Sequence, residues 1–266
     1  MKPIFKYSGG KTRELKIINE IISGIKFDRV IEPFAGGAAF SFDQEKPSLV
    51  SDIRSNNVDV YKAVQDEFQF KTLLNKVDET KEETDKKKLE SIFYYWRDEK
   101  YNNCDTLWEK AFRWIIIRQL CFSGMDRVNN ITGKMNVPYG WYPKFNTKLS
   151  AEHHDLLKTW ELKECSFEES ISVSNENDFI FIDPPYLERN SDYGNNNHSL
   201  ELHEKLFECL NNIKAKWLLI HTQHPFYEEN YKKYNILTKD FQYSSQWKGR
   251  IQKDRKVEHL YITNFN

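Results

Sequence analysis

The run DFIFIDPPYL, residues 178–187, passes from an apolar stretch straight into a polar turn, Asp183-Pro184-Pro185-Tyr186. Phe179 to Ile182 has the length and composition of a strand buried on both faces, as in a parallel sheet. Such strands deliver functional groups at their carboxyl ends, where ligands of open α/β sheets bind. Each proline fixes its own φ and pushes the preceding residue into an extended conformation, so the turn is stiff before any ligand arrives. It offers a carboxylate (Asp183), a backbone carbonyl with no competing local N–H (Pro184) and a flat ring (Tyr186). Two acceptors and a ring suit a planar base carrying an NH₂ group. Asp-Pro alone would read as a plain turn; all four residues after a buried strand favour the functional reading.

Working outward, the first third of the chain holds a second site. Arg29-Val30-Ile31 reads as a short strand, followed by Glu32-Pro33-Phe34-Ala35-Gly36-Gly37-Ala38-Ala39-Phe40. Glycines just after a first strand let a ligand approach the backbone closely. Ser48 to Asp52 reads as a second strand ending in an acid. Strand, glycine turn, strand, acid is the order that places a ribose on a carboxylate in doubly wound folds. Phosphate binding is the rival, but no Gly-Lys-Ser/Thr follows the turn, and Glu32 would repel phosphate. Nearer the start, Lys6-Tyr7-Ser8-Gly9-Gly10-Lys11 leads into a helical run, Thr12 to Ile22. It imitates a phosphate loop, yet Phe5 stands where that motif needs its first glycine, and no buried strand precedes it.

Between the two halves, residues 113–142 read RWIIIRQLCFSGMDRVNNITGKMNVPYGWY. Arg127 suits bidentate reading of guanine, and Asn129 and Asn136 suit adenine, while Lys134, Lys144 and Lys148 suit phosphates. Tyr139, Trp141, Tyr142 and Phe145 are candidates to stack on or wedge beside a nucleotide. Taken alone, these residues read as a surface loop stiffened by Gly, Pro and Asn; their place between the two sites favours function. Near the carboxyl end, Tyr234–Tyr243 and Val257–Phe265 read as closing strands. The basic segment 246–256 between them, with Trp247, Lys248 and Arg250, is a second candidate nucleic-acid contact or a solvated hairpin loop.

At 266 residues the chain supports one sizeable α/β domain with an insert. A net charge of −1 does not advertise nucleic acid, so the basic insert and the 246–256 loop carry that argument. The mixed charged run Lys76–Lys100 reads as a solvated helix. The four cysteines, Cys104, Cys121, Cys165 and Cys209, form no Cys-x-x-Cys pair and no metal-spaced cluster, so no metal is expected. With no leader sequence, they are expected as reduced thiols in a cytoplasmic, DNA-associated protein. No apolar run reaches membrane-spanning length; Trp114-Ile115-Ile116-Ile117 reads as a helix core.

These segments resemble the Dam-like (alpha group, D12 class) DNA adenine N6-methyltransferases. The turn Asp183-Pro184-Pro185-Tyr186 looks like that family's catalytic motif. Phe34-x-Gly36-x-Ala38 resembles its S-adenosylmethionine motif, with Ala38 in place of the last glycine. Tyr7 and Lys11 match its N-terminal aromatic-x-Gly-Gly-Lys segment. Cys121-Phe122-x-Gly124-x-x-Arg127-x-Asn129 and Gly133-x-Met135-Asn136-Val137-Pro138-Tyr139-Gly140 look like its DNA-reading region, as does Tyr94-Tyr95-Trp96-Arg97 followed by Asn102. The order of the segments is that of the alpha group, and the resemblance spans essentially the whole chain.

The resemblance implies a doubly wound, Rossmann-like α/β core over residues 1–60 and 151–266, with a mainly helical recognition insert at 61–150. It implies methyl transfer from S-adenosylmethionine to the amino group of an adenine flipped out of double-stranded DNA. Asp183, Pro184, Pro185 and Tyr186 would be catalytic. Tyr7, Lys11, Phe34, Gly36, Asp52, Phe167 and Asp183 would bind the donor, Phe167 by stacking on its adenine. Arg127, Asn129, Asn136, Pro138, Tyr139, Trp141, Lys248 and Arg250 would meet DNA. His203 fits a family pattern, but a lone histidine near a helix start is more often structural. Relatives that methylate GATC usually carry a basic residue where Trp141 stands, so GATC is not assumed. The alternatives are an amino methyltransferase acting on RNA or cytosine, with Asp183 at the head of the turn counting against cytosine, and a non-catalytic DNA-binding module. No protein partner is named by the sequence.

Overall fold

The computed structural model describes residues 1–101, 103–124, 127, 129, 131, 134–187, 196–242 and 256–266. Seven strands make one sheet: β1 (Arg29–Glu32), β2 (Ser48–Asp52), β3 (Glu161–Glu164), β4 (Asp178–Ile182), β5 (Lys216–Thr222), β6 (Asn235–Gln242) and β7 (Lys256–Thr263). Their order is β3-β2-β1-β4-β5-β7-β6. Neighbours run parallel except β7, which is antiparallel to β5 and β6. β1 leads to β2 on one side, while β4 leads to β5 on the other. That reversal opens a crevice at the carboxyl ends of β1 and β4, where ligands bind in such sheets.

The unbroken apolar run of β4 follows from burial on both faces. Phe179 and Phe181 pack on one face with Val30, Phe40, Leu218 and Tyr261. Ile180 and Ile182 pack on the other with Ile31, Leu49, Trp217 and Leu219. At its amino end Asp178 receives Arg29 through two hydrogen bonds, 2.9 Å from Nε and 2.8 Å from Nη2.

The described residues form ten α-helices: α1 (Leu15–Ile21), α2 (Ala39–Gln44), α3 (Ser55–Gln65), α4 (Glu67–Lys81), α5 (Lys86–Tyr94), α6 (Leu107–Leu120), α7 (Ala151–Leu157), α8 (Phe167–Ser172), α9 (Asn196–Asn211) and α10 (Pro225–Asn230). α6 opens with a Thr106–Glu109 capping box and is buried on every side from Ala111 to Leu120, which makes it the pillar of the helical segment between β2 and β3. Its apolar residues share one cluster with Val50, Tyr61, Met135, Tyr139 and the N-terminal Ile4 and Phe5. The N-terminal segment is laced to the chain between β2 and β3: Thr147 Oγ1 donates to the Ile4 carbonyl at 2.5 Å and Arg118 Nε to that of Lys6 at 3.0 Å.

Three local readings shift. The expected helix Thr12–Ile22 starts as a 3-10 turn, Lys11–Arg13, before α1 begins. The charged run Lys76–Lys100 is not one helix. α4 ends at Lys81, Asp85 caps α5 through the Lys87 N–H at 2.8 Å, and a π-helical turn follows over Tyr95–Glu99. α9 begins at Asn196, so His203 lies inside it rather than at its start.

Candidate active site

The crevice widens into a cleft of about 2110 Å³ that takes in the N-terminal segment, both signature turns and the edge of the insert. A single small ligand needs roughly 300–1,000 Å³, so there is room for two. The 3-10 turn over Lys11–Arg13 swings Lys11 across the crevice to the end of β4. Lys11 Nζ lies 2.5 Å from Asp183 Oδ2 and 2.8 Å from the Gly9 carbonyl, and 5.2 Å from the Tyr186 ring centre. Burial pushes the Asp183 carboxyl up from its ordinary range, and the Lys11 charge opposes that rise. Pro184 is buried and Pro185 exposed, while Tyr186 is half-buried.

Residues that sequence reading missed stand behind this turn. His221 Nε2 accepts the Leu187 N–H at 2.9 Å. Its ring lies 4.9 Å from that of Tyr186, and the His259 ring 5.6 Å on another side. His259 Nδ1 bonds Glu14 Oε2 at 2.8 Å, and the Tyr261 hydroxyl donates to the same oxygen at 2.5 Å. Burial works against the Glu14 charge, but these bonds and nearby Lys11 hold its carboxyl below the usual range. His203 is buried with Nδ1 2.6 Å from the Tyr227 hydroxyl.

On the other side of the crevice, Asp52 gathers the glycine turn. Its Oδ2 accepts the Gly36 N–H at 2.8 Å and Asn57 Nδ2 at 2.9 Å, and Oδ1 accepts the Arg54 N–H at 2.9 Å. The Tyr61 hydroxyl donates to the Gly36 carbonyl at 2.6 Å. Gly36 has φ +48°, and a Cβ there would lie 2.5 Å from Tyr7 Cε1. The close approach that this glycine permits is therefore to the Tyr7 ring. Ala38 adopts the left-handed conformation (φ 49°, ψ 41°) that the missing glycine would take. Phe34 and Phe167 stack with centres 5.2 Å apart, inclined by 26°. Glu32 beneath accepts the Ser41 N–H at 2.9 Å and its hydroxyl at 2.5 Å. Burial pushes the Glu32 carboxyl up to about 7, Asp183 adding to the rise against the Ser41 bonds.

The expected DNA-facing residues divide. Arg127 Nε donates to Asn136 Oδ1 at 2.8 Å and Nη2 to its carbonyl at 3.2 Å. Asn129 closes a tight local turn, its Oδ1 accepting the Ile131 N–H at 2.8 Å. Arg127, Asn136, Pro138 and Trp141 are exposed, and Trp141 is held at φ 57°. Tyr139 departs from expectation. It is 2% exposed, tilted on Phe93, with its hydroxyl donating to the Tyr142 carbonyl at 3.0 Å. Phe145 is buried too. The burial of Tyr139 follows a two-residue alternation in which Met135, Val137 and Tyr139 are buried and Asn136 and Pro138 exposed, the period of an extended chain. Tyr142 lines the cleft beneath Lys6, whose Nζ lies 4.2 Å above its ring. Lys248, Arg250, Trp247, Asn102 and Gly133 lie outside the described residues.

A sheet of this order, with a glycine turn and acid on β1 and β2 and an acidic proline turn on β4, defines a Rossmann-like methyltransferase. The chain belongs to the D12 class N6 adenine-specific DNA methyltransferases, whose family model matches residues 7–245. It is 31% identical over 274 residues to the type II methyltransferase M.CviBI of Paramecium bursaria Chlorella virus NC1A, covering 100% of both chains. It is 25% identical to type II methyltransferase M1.LlaDCHI of Lactococcus lactis subsp. cremoris, covering 100% of this chain and 96% of that one. DNA adenine methylase of Salmonella typhimurium is 24% identical, over 80% of this chain and 76% of the methylase. Adenine methylation of DNA is the activity this family gives the chain. Among the described residues no group of three or more His, Cys, Asp or Glu side chains is placed to hold a metal, and no helix is long and apolar enough to cross a membrane.

Proposed function

We propose that the chain moves a methyl group from S-adenosylmethionine to the exocyclic amino group of an adenine flipped out of double-stranded DNA at a specific site. The observation that carries this reading is the convergence of the Asp183–Tyr186 turn and the Asp52–Gly36 turn on one cleft. On the donor side, the Asp52 carboxylate suits ribose hydroxyls and the Phe34–Phe167 pair suits an adenine ring, with Tyr7, Lys11 and Gly36 completing the wall. Bound there, S-adenosylmethionine would supply an electrophilic methyl group.

The remaining work belongs to the protein. Asp183 Oδ1, the oxygen not engaged by Lys11, and the Pro184 carbonyl accept the two N–H groups of the target amine. That makes the nitrogen more pyramidal, withdraws its lone pair from conjugation with the ring and aims it at the methyl. Pro185 keeps the turn stiff while Tyr186 stacks on the base, which has to leave the duplex to be reached. The contribution is positioning and electrostatics without a covalent enzyme intermediate. Transfer leaves a surplus proton on the amino nitrogen, and Asp183 is the acceptor in contact with it.

The insert over 61–150 would read the duplex: Arg127 exchanges Asn136 for a guanine edge, Asn129, Asn136 and Pro138 line the reading surface, and Trp141 wedges beside the vacated base. Lys248 and Arg250 would make a second contact from the β6–β7 connection. The type II relatives support a place as the modification partner of a restriction enzyme. The test is single-molecule sequencing of DNA from cells expressing the protein or its Asp183→Ala variant, with calorimetry of donor binding. Methyladenine at one short motif, lost in the variant while donor still binds, is expected. Equal modification by the variant, or none by the parent, overturns the reading.

A further inference from the structure

The prolines that stiffen the catalytic turn also strip it of donors. Pro184 and Pro185 have no N–H, so among its backbone donors only the flanking amides can tie the turn to the fold. They fix two φ angles but leave the torsions of Tyr186 and Leu187 to be set from outside. Leu187 N–H is held by a buried side chain on the next strand of the sheet, His221 Nε2 at 2.9 Å.

We propose that His221 is a positioning residue for methyl transfer, which by accepting the Leu187 amide fixes the Tyr186 ring and the Pro184 carbonyl against the target base. The proposal rests on the catalytic role read above for the turn. Three observations carry it. First, both ring nitrogens demand the same tautomer. Nδ1 lies 2.6 Å from the Thr222 carbonyl and has to carry the hydrogen, which leaves the Nε2 lone pair for Leu187. Second, the ring stays neutral: burial pushes its pKa down to about 3, and His203, His224 and His259 push the same way. A protonated ring would have no acceptor to offer. Third, the ring is braced by its neighbours. The Tyr227 ring lies 4.1 Å away, its hydroxyl held by His203 at 2.6 Å, and the Tyr186 ring lies at 4.9 Å. β5, α9 and α10 thus converge on one imidazole, and rigid elements hold reactive geometry better than loops. His221 is fully buried and is absent from the cleft lining, so it acts only through the turn.

Two amide variants test this. In His221→Gln the side-chain oxygen reaches the place of Nε2; in His221→Asn it reaches only that of Nδ1. Single-turnover methyl transfer is expected to fall about tenfold to a hundredfold in the Asn variant, with donor and DNA affinities unchanged. The Gln variant is expected to recover most of the rate. Equal rates in the two variants, or a folded Asn variant as fast as the parent, overturn the proposal. If the Asn variant does not fold, His221→Phe, which keeps a ring without the acceptor, takes its place under the same criteria. A parent protein without methyl transfer would instead count against the catalytic reading itself.

Discussion

Lys11 Nζ and Asp183 Oδ2 stand 2.5 Å apart although 172 residues separate them in sequence. The contact ties the N-terminal turn to the Asp183-Pro184-Pro185-Tyr186 turn and favours the charged carboxylate against burial. Burial raises the Asp183 pKa, and Lys11 is the first influence opposing it.

Removing Lys11 therefore has a definite sign. In the proposed mechanism Asp183 has to be ionised to accept the target N–H, so activity is expected to rise with pH through its folded pKa. In Lys11→Met that pKa climbs further, and the acid limb of the rate profile moves to higher pH. Rates measured between pH 5 and 9 are expected to show the limb displaced upward, and recovery at alkaline pH separates a lost charge from a lost fold.

Glu32 gives a stability prediction. Its folded pKa of about 7 stands above its ordinary 4.5. A raised acid contributes stability that is full below the unfolded pKa and is lost as pH rises through the folded one. Between pH 4.5 and 7 the loss amounts to roughly 3 kcal/mol at most. Glu32→Gln keeps an acceptor for Ser41 without the ionisation. Its urea midpoint is expected to vary less between pH 5 and 8 than that of the parent.

Ala38 holds a left-handed conformation at φ 49°, which costs a residue with a Cβ roughly 1–2 kcal/mol. Glycine relieves that cost but loses about 0.5–1 kcal/mol through the freer unfolded chain. Relief wins narrowly, so Ala38→Gly is expected to gain up to about 1 kcal/mol in denaturant titration, whereas Ala38→Val loses stability.

Tyr139 and Trp141 are two residues apart and expected to fail differently. Tyr139→Ala empties a buried site and is expected to lower stability by roughly 3–5 kcal/mol, as large aromatic truncations do. Trp141→Ala, at a side chain 66% exposed, is expected to leave the melting temperature in place while weakening binding to target duplex in a gel or anisotropy titration.

Much of the molecule was legible because its signals are local. The apolar run ending in Asp183, the glycines after β1 and the acid closing β2 each announce a strand end with a ligand nearby. Even the burial of Tyr139 was there to be seen, since Met135, Val137 and Tyr139 share a two-residue period that the motif reading passed over. His221 left no such trace: its partner Leu187 lies 34 residues away, and the bond is defined only once β4 and β5 are paired. Gly36 was read as a point where a ligand approaches the backbone, whereas the neighbour the structure shows there is Tyr7, which comes from beyond the strand it follows.

The lacing of the N-terminal segment governs the order of assembly during synthesis. The carbonyls of Lys2, Ile4 and Lys6 receive His153, Thr147, Gln119 and Arg118, and Tyr7 reaches the glycine turn along this tether. The partners lie 112 to 151 residues further along the chain, so the segment cannot be fastened until they have been made. Closing so long a loop gains its contacts only after its entropy has been spent. The side of the cleft at Tyr7 is thus completed only once residues far downstream have folded.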